Sequence, residues 1–318
     1  VLVAALFLAH FPGWAADGAS SYPNRPVRLI TGSLGGASDF VARLVAQRLG
    51  ERWGHQFVVD NRAGMAGVLG TAAAAKAAPD GHTLAVGLAG THAAPQFLYR
   101  DLPYDPVKDF APITLLSDAG IALVVHASVP VRDAKEFVAY ARARPGAVNY
   151  ASAGVGTTSQ LAAELFNQLT KAQLVHVPYR GAGIAITALL GAETQSAFLA
   201  TVSITPHLGA GRVRALAVLS EKRFQAAPGI PSAPEAGLPG VNASVWVGLF
   251  APAGTPRPIV SKLNRAVVEL LRLPETRDLL ARQGAEPMPS TPEAFARFLD
   301  DEIAKWGKVI KTAGLKAD

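Results

Sequence analysis

The chain has 318 residues, 50% of them hydrophobic and 17% charged, with a formal net charge of +6. Those proportions exclude a disordered or fibrous chain, and at about 150 residues per domain the length fits two domains. Cysteine is absent, which excludes disulfides, thiolate nucleophiles, iron–sulfur clusters and cysteine zinc sites, and suits an oxidising compartment as well as a reducing one.

The first stretch, Val1 to Ala9, is unbroken apolar, with the small residues Gly13 and Ala15 placed for a cut after Ala15. It is too short for a bilayer span of about 20 residues. Residues 1–21 read as the remnant of a secretory signal, with a buried strand or a short anchor as the alternative. No cysteine follows, so a lipoprotein anchor is excluded, and no later apolar run is long enough to cross a membrane. The mature chain is therefore expected to be exported and soluble. Its basic residues are scattered rather than clustered with aromatics, which points away from nucleic acid and is compatible with anionic ligands.

Residues 26–31 read as a strand, 32–38 as a glycine-rich turn, and 39–49 as a helix with Phe40, Val41, Leu44, Val45 and Leu49 at helical spacing. A strand over 56–60, an Ala-rich helix over 67–78, the turn Pro79-Asp80-Gly81 and a strand over 83–88 follow. The pattern restarts after Asp118. Strands are predicted over 121–126, 148–151, 174–177, 194–199 and 213–219, with helices over 133–143, 158–169 and 181–190 between them. A Pro/Gly-rich segment runs from Pro228 to Gly240. A strand over 245–250, a helix over 259–272 and a last helix from Pro292 to about Thr312 close the chain. The last helix carries Phe295, Phe298, Leu299, Ile303, Trp306 and Ile310 on one face, and Asp300, Asp301 and Glu302 read as a solvated face. Alternating strands and helices imply a parallel or mixed α/β sheet. The expected organisation is two lobes, 22–120 plus 244–318 and 121–243, the layout of a hinged binding protein.

Two strand-to-helix turns carry the candidate chemistry: Gly32 to Asp39 and Ser152 to Thr158. Glycine lets backbone approach a ligand closely, and a helix start offers N–H groups and a positive dipole end to an anion. The plain alternative is a pair of ordinary α/β turns with Ser38 or Asp39 as a helix cap. Neither turn is a P-loop, since no Gly-Lys-Ser/Thr follows, and Ser159 stands where a dinucleotide fingerprint has glycine. Enzyme and metal signals are poor. The seven histidines include no pair at metal-ligand spacing, and Ser152 is not in a Gly-x-Ser-x-Gly elbow. No nucleophile–base arrangement is visible, though pairs brought together in space are invisible to sequence. His92 could line a cleft or sit in a surface loop, and Trp53, Trp246 and Trp306 read as core.

Several stretches carry a resemblance: Tyr22-Pro23-Asn24-Arg25-Pro26-Val27, Val59-Asp60-Asn61-Arg62-Ala63-Gly64, Ala78-Pro79-Asp80-Gly81-His82-Thr83, Leu102-Pro103-Tyr104-Asp105-Pro106, Val175-His176-Val177-Pro178-Tyr179-Arg180-Gly181 and Phe250-Ala251-Pro252-Ala253-Gly254-Thr255-Pro256. In order and spacing they resemble the Bug (TctC-like) solute-binding proteins of tripartite tricarboxylate transporters, over nearly everything after residue 21. The resemblance implies a two-lobed, type II-like periplasmic-binding-protein fold of two mixed-sheet Rossmann-like domains with a cleft and hinge. It implies a periplasmic monomer without catalytic residues, metal or cofactor, which captures a small carboxylate and delivers it to membrane permease subunits. Carried over, the ligand-binding residues are Gly35, Gly36, Ala37, Ser38, Asp39, Thr91, Ser152, Gly154, Gly156, Thr157 and Thr158. The chain departs from the pattern at Ser33-Leu34, where proline is common, and at Gln160, where histidine is common. It departs again at Phe198 to Thr201, which lack a common Asp. Without that acid a ligand ammonium has no obvious counter-charge, which favours a di- or tricarboxylate or an aromatic acid over an amino acid. An exported enzyme of the same fold and a ligand-presenting sensor subunit remain the alternatives.

Overall fold

The computed structural model describes residues 21–32 and 36–317; the expected signal segment 1–21, apart from Ser21, and the expected site residue Gly35 lie outside the described residues. Strand β1 (Val27–Thr31), helix α1 (Ala37–Trp53), β2 (Phe57–Asn61), α2 (Val68–Ala75) and β3 (Thr83–Gly87) come first, with β2 and β3 both parallel to β1. A π-helical turn (Ala89–Ala93) and the short α3 (Pro95–Leu98) lead to β4 (Phe110–His126). Then follow α4 (Ala134–Arg142), β5 (Asn149–Ser152), α5 (Thr158–Thr170), β6 (Val175–Pro178), α6 (Ala182–Leu190), β7 (Ser196–Ala200), α7 (Thr201–Leu208) and β8 (Val213–Val218). The chain ends with β9 (Ser244–Pro252), α8 (Arg257–Arg272), α9 (Pro274–Arg282), β10 (Glu286–Pro287) and α10 (Pro292–Ala313).

The described strands form one ten-stranded mixed sheet in the order β2-β1-β3-β9-β4-β7-β5-β6, with β10 and β8 also pairing β4. Strand β4 joins the two halves. Its first part, through Gly120, pairs antiparallel with β9, and its second part, from Ile121, pairs with β7 and β8. Sequence reading placed only 121–126 in a strand. Pro112, Asp118 and Gly120 are strand-breaking types, and the fold accommodates the proline by a register shift between Pro112 and Thr114, where the missing N–H leaves no ladder gap.

One face of the sheet is covered by α2, α4, α5 and α10. A single apolar layer runs under them from Ile30 and Val68 through Phe250, Phe295 and Trp306 to Phe137, Phe166 and Phe198. The opposite face has two separate layers. One lies under α1, α8 and α9, and includes Val41, Leu49, Leu249, Leu263, Val267 and Leu280. The other lies under α6 and α7, and includes Val124, Ile186, Leu189, Leu199 and Ile204. Helix α8 shows why: Ile259, Leu263, Val267 and Leu270 fall on one stripe, and burial of each stabilises the fold by about 1.5–3 kcal/mol.

Besides the single-turn α3, two helices, α7 and α9, escaped the sequence reading. Pro206 sits inside α7 and Pro274 opens α9, and each is only two turns long. Glu302 is a correction. It is buried, not solvated, because its carboxylate accepts the indole N–H groups of Trp246 and Trp306, each at 2.7 Å, while Lys305 lies against its other oxygen. No helix among the described residues is long and apolar enough to cross a membrane.

Candidate functional site

The first turn leaves β1 at Thr31, and Gly36 (φ 96°) opens α1. The Thr31 hydroxyl donates to Ser38 Oγ at 3.3 Å, and Ser38 and Asp39 are buried. The Asp39 carboxylate is engaged from two sides: Asn61 Nδ2 donates to Oδ1 at 2.7 Å and Arg43 Nε to Oδ2 at 3.2 Å. Arg43 also donates to Asn61 Oδ1 at 2.9 Å. This acid is therefore neutralised and ties the helix start to the end of β2, so it presents little repulsion to an anion beside it. Ala37, half-buried, shares that first helical turn.

Close approach of backbone links the first turn to the rest. A methyl group on Gly32 would lie 2.2 Å from Gly67 Cα, and one on Gly67 would lie 2.9 Å from Thr91 Cγ2. A methyl on Gly90 would sit 3.2 Å from the carbonyl oxygen of Gly156. Gly32, Gly67, Gly90 with Thr91, and Gly156 thus form a continuous chain of contacts, and the two halves of the sheet meet at the second turn. Thr91 is itself buried. Its hydroxyl accepts from Leu88 N–H at 2.9 Å and lies 2.9 Å from His92 Nδ1, and its carbonyl accepts the Tyr104 hydroxyl at 2.7 Å. His92 is fully buried, stacked on Phe250 with centroids 3.9 Å apart, and neither lines a cleft nor sits in a surface loop. Burial pushes its pKa down to about 3, so it is neutral.

The second turn is braced by a neutral side-chain relay. Ser152 Oγ lies 2.6 Å from His176 Nε2 and accepts from Gly154 N–H at 3.1 Å. Gly156 N–H donates to Gln160 Oε1 at 2.8 Å, and Gln160 Nε2 lies 3.2 Å from His176 Nδ1. Thr157 Oγ1 donates back to the Gly154 carbonyl at 2.7 Å, and Thr158, buried, begins α5. A backbone N–H can only donate, so Gln160 must turn its oxygen to Gly156 and its NH2 to the histidine. His176 Nδ1 is then the acceptor, its proton is on Nε2, and Nε2–H donates to Ser152. Burial pushes the His176 pKa down to about 4, which keeps the ring neutral.

Sequence reasoning found both turns but missed Gly67, Gly90, Arg43, Asn61, Gln160 as a bracing group, and His176. The parallel pairing of β5 with β6, which sets Tyr150 opposite His176, brings that ring to Ser152. Among the described residues no group of three or more His, Asp or Glu could hold a metal ion. An open groove of about 670 Å³ between α1 and the edge strand β2 includes neither turn.

A family model described as "Tripartite tricarboxylate transporter family receptor" (TctC) matches residues 41–315. The chain belongs to this family. The BugT protein of Bordetella pertussis is 34% identical over 99% of this chain and 97% of its own. Among solved structures, R. palustris Rpa4515 with adipate is 36% identical with a TM-score of 0.87, covering 93% of this chain and 99% of that one. MatC from Rhodopseudomonas palustris with bound malate is 37% identical with a TM-score of 0.82, covering 91% and 100%. The expected α/β binding-protein fold is thus the observed one.

In this TctC-family chain the helix starts fall into two groups. Helices α1, α2, α5, α6 and α7 each follow a strand directly or through a short turn, and their cap positions are Gly36, Gly67, Thr157, Gly181 and Ala200. None of these makes a side-chain cap. Of the other helices longer than α3, two carry a side-chain cap and two open with proline. The Asp133 carboxylate accepts Glu136 N–H at 2.8 Å, the Thr291 hydroxyl accepts Ala294 N–H at 3.1 Å, and α8 and α9 open with proline. A side-chain cap is worth about 0.5–2 kcal/mol, so five helices forgo a stabilising contact where strands β1, β2, β5, β6 and β7 end. Each such end attracts an anion by about 0.3–1 kcal/mol.

Proposed function

We propose that this chain is a periplasmic solute-binding receptor that captures a small di- or tricarboxylate, or an aromatic acid, and presents it to membrane permease subunits. In this reading residues 22–120 with 244–318 and residues 121–243 are lobes that close on the ligand as a monomer, after the segment 1–21 has directed export. Gly35 to Asp39, Thr91, Ser152, Gly154, Gly156, Thr157 and Thr158 build the binding surface. Backbone N–H groups of the uncapped helix starts hold the carboxylate, while the hydroxyls of Thr91 and Ser152 fix the loops.

The observation that supports this reading is the chain of close approaches from Gly32 through Gly67 and Thr91–Gly90 to Gly156, which links two turns that both lead into helices without a side-chain cap. A neutralised Asp39 and neutral histidines around them leave helix dipoles as the local field. The relatives with adipate and malate make small dicarboxylates the first probes. A micromolar ligand needs about 8 kcal/mol, so several donors from both turns must act together. At a hundredfold excess over Kd the ligand stabilises the fold by about 2.7 kcal/mol. A thermal-shift and calorimetric panel of adipate, malate, citrate and benzoate is expected to give at least one saturable upward shift. No shift and no heat from any of them would overturn the reading.

An enzyme of the same fold has one observation in its favour, the Ser152–His176 contact at 2.6 Å. A serine nucleophile needs a histidine lone pair facing its hydroxyl. The Gln160 and Gly156 geometry places that lone pair on Nδ1, facing away from Ser152, and Ser152 is fully buried. The pair therefore acts as a brace, and purified protein is expected to leave a bound carboxylate chemically unchanged by mass spectrometry.

A further inference from the structure

We infer that His176 is a positioning residue for ligand binding, and that it works only as the Nε2–H tautomer which Gln160 imposes. This rests on the receptor reading above. The second turn has two glycines in conformations that ordinary side chains avoid, Gly154 (φ 129°) and Gly156 (φ 77°), so the turn itself has little intrinsic preference for one shape. Two contacts select the shape. Gly154 N–H is held by Ser152 Oγ, and Gly156 N–H by Gln160 Oε1. The imidazole joins the two acceptors: it donates to Ser152 and accepts from Gln160. One neutral ring thereby fixes both glycine amides, on either side of exposed Val155.

The ring is in turn held in place from β5 and α5. Tyr150 stacks on it with centroids 5.0 Å apart and planes 18° apart, and the Tyr150 hydroxyl donates to Glu164 Oε1 at 2.7 Å. Glu164 is one helical turn after Gln160, so a single face of α5 sets both the stacking partner and the tautomer. Consuming the glycine amides within the turn directs a ligand to the uncapped start of α5 instead. The relay also fixes the Gly156 carbonyl against Gly90, where the two halves meet. A Glu at position 160 would reverse the polarity. It could still accept from Gly156, but it would accept from Nδ1–H as well, drawing a proton to that nitrogen and completing a Ser–His–carboxylate arrangement.

The test uses the full mature chain. Nitrogen-15 spectra of the ligand-free protein should show the His176 ring protonated on Nε2 and bare on Nδ1, with slow amide exchange at Gly154 and Gly156. His176→Leu and Gln160→Glu should each weaken adipate or malate binding by about tenfold or more and speed exchange at both glycines. Gln160→Glu should also move the ring proton to Nδ1 or charge the ring. His176→Gln keeps a donor towards Ser152 and should bind at least about threefold tighter than His176→Leu. A wild-type ring protonated on Nδ1 alone, or wild-type affinity in His176→Leu, would overturn the inference. If the wild type binds no probe, the receptor reading fails, and the ring spectra and glycine exchange rates still decide the relay on their own.

Discussion

The two glycine turns solve one problem by different chemistry. The first is held by charge, through Asp39, Arg43 and Asn61, with Arg43 largely exposed. The second is held by neutral groups, Ser152, His176 and Gln160, two of them buried. Both turns lead into helices without side-chain caps. A partly exposed ion pair weakens with salt and tolerates neutral pH on either side. A relay built on a neutral imidazole ignores salt and fails when the ring takes a proton. The difference teaches that two glycine turns of one fold can both avoid an unpaired charge while each is sensitive to a different solution condition.

The largest effect expected is at the point where the two halves meet. Gly90→Val would press a branched side chain on the Gly156 carbonyl, 3.2 Å from its first carbon, and disturb the seam between the π-helical turn that links to the first glycine turn and the second one. Carboxylate affinity should fall by about a hundredfold, or about 3 kcal/mol, in calorimetric titrations, with a much smaller change in melting temperature. Unchanged affinity would show that this seam is irrelevant to binding.

Separating the acid response of the second turn needs a correction for Asp118. This buried carboxyl lies on β4 near Glu286, Glu302 and Lys305, and burial pushes its pKa up to about 6. Its folded-state pKa is above the unfolded value, so its contribution is most favourable below about pH 4, declines as pH rises from about 4 to about 6, and levels off above that. Asp118→Asn should stabilise the protein by on the order of 2–3 kcal/mol at pH 8 and by little at pH 4, measured by urea unfolding. His176 and His92 act in the opposite sense, because their folded-state pKa values are lowered. Stability from them is complete above the unfolded value of about 6.5 and is lost as pH falls towards 4 and below. In the Asp118→Asn background the loss between pH 6.5 and 4 should therefore appear undisguised.

The smallest effect belongs to the first turn. Arg43→Gln should cost about 0.5–1 kcal/mol at low salt, a difference that disappears in about 1 M NaCl. Persistence of the loss in high salt would mean that Arg43 acts by packing and that the contrast between the turns is not one of charge.

Much of this was legible in the sequence, because regular patterns report regular structure. The apolar spacing of α1, α8 and α10 and the short runs of β1, β3, β5 and β7 are local signals, and the two glycine turns stand where the alternation put them. Strand β4 was cut short because Pro112 and Gly120 look like punctuation, whereas antiparallel pairing with β9, opposite Phe250 and Ser244, holds them in the ladder. Glu302 looked solvated because its neighbours Asp300 and Asp301 are exposed; one of the groups that hold it buried, Trp246, is distant in sequence. The relay at the second turn could not be read at all. Ser152 and His176 are brought together by strand pairing, and the direction of the proton between them depends on a backbone amide that sequence does not orient.

One consequence follows from the apolar layer beneath α10. It passes from Val68 to Phe166 without a break, while the opposite face of the sheet is divided. Opening the molecule along the undivided side would wet Phe250, Phe295 and Trp306 together, so that side resists separation of the two halves more than the divided side does, like the spine of a book. For the same reason the two halves are expected to melt together, with a single calorimetric peak on heating rather than two.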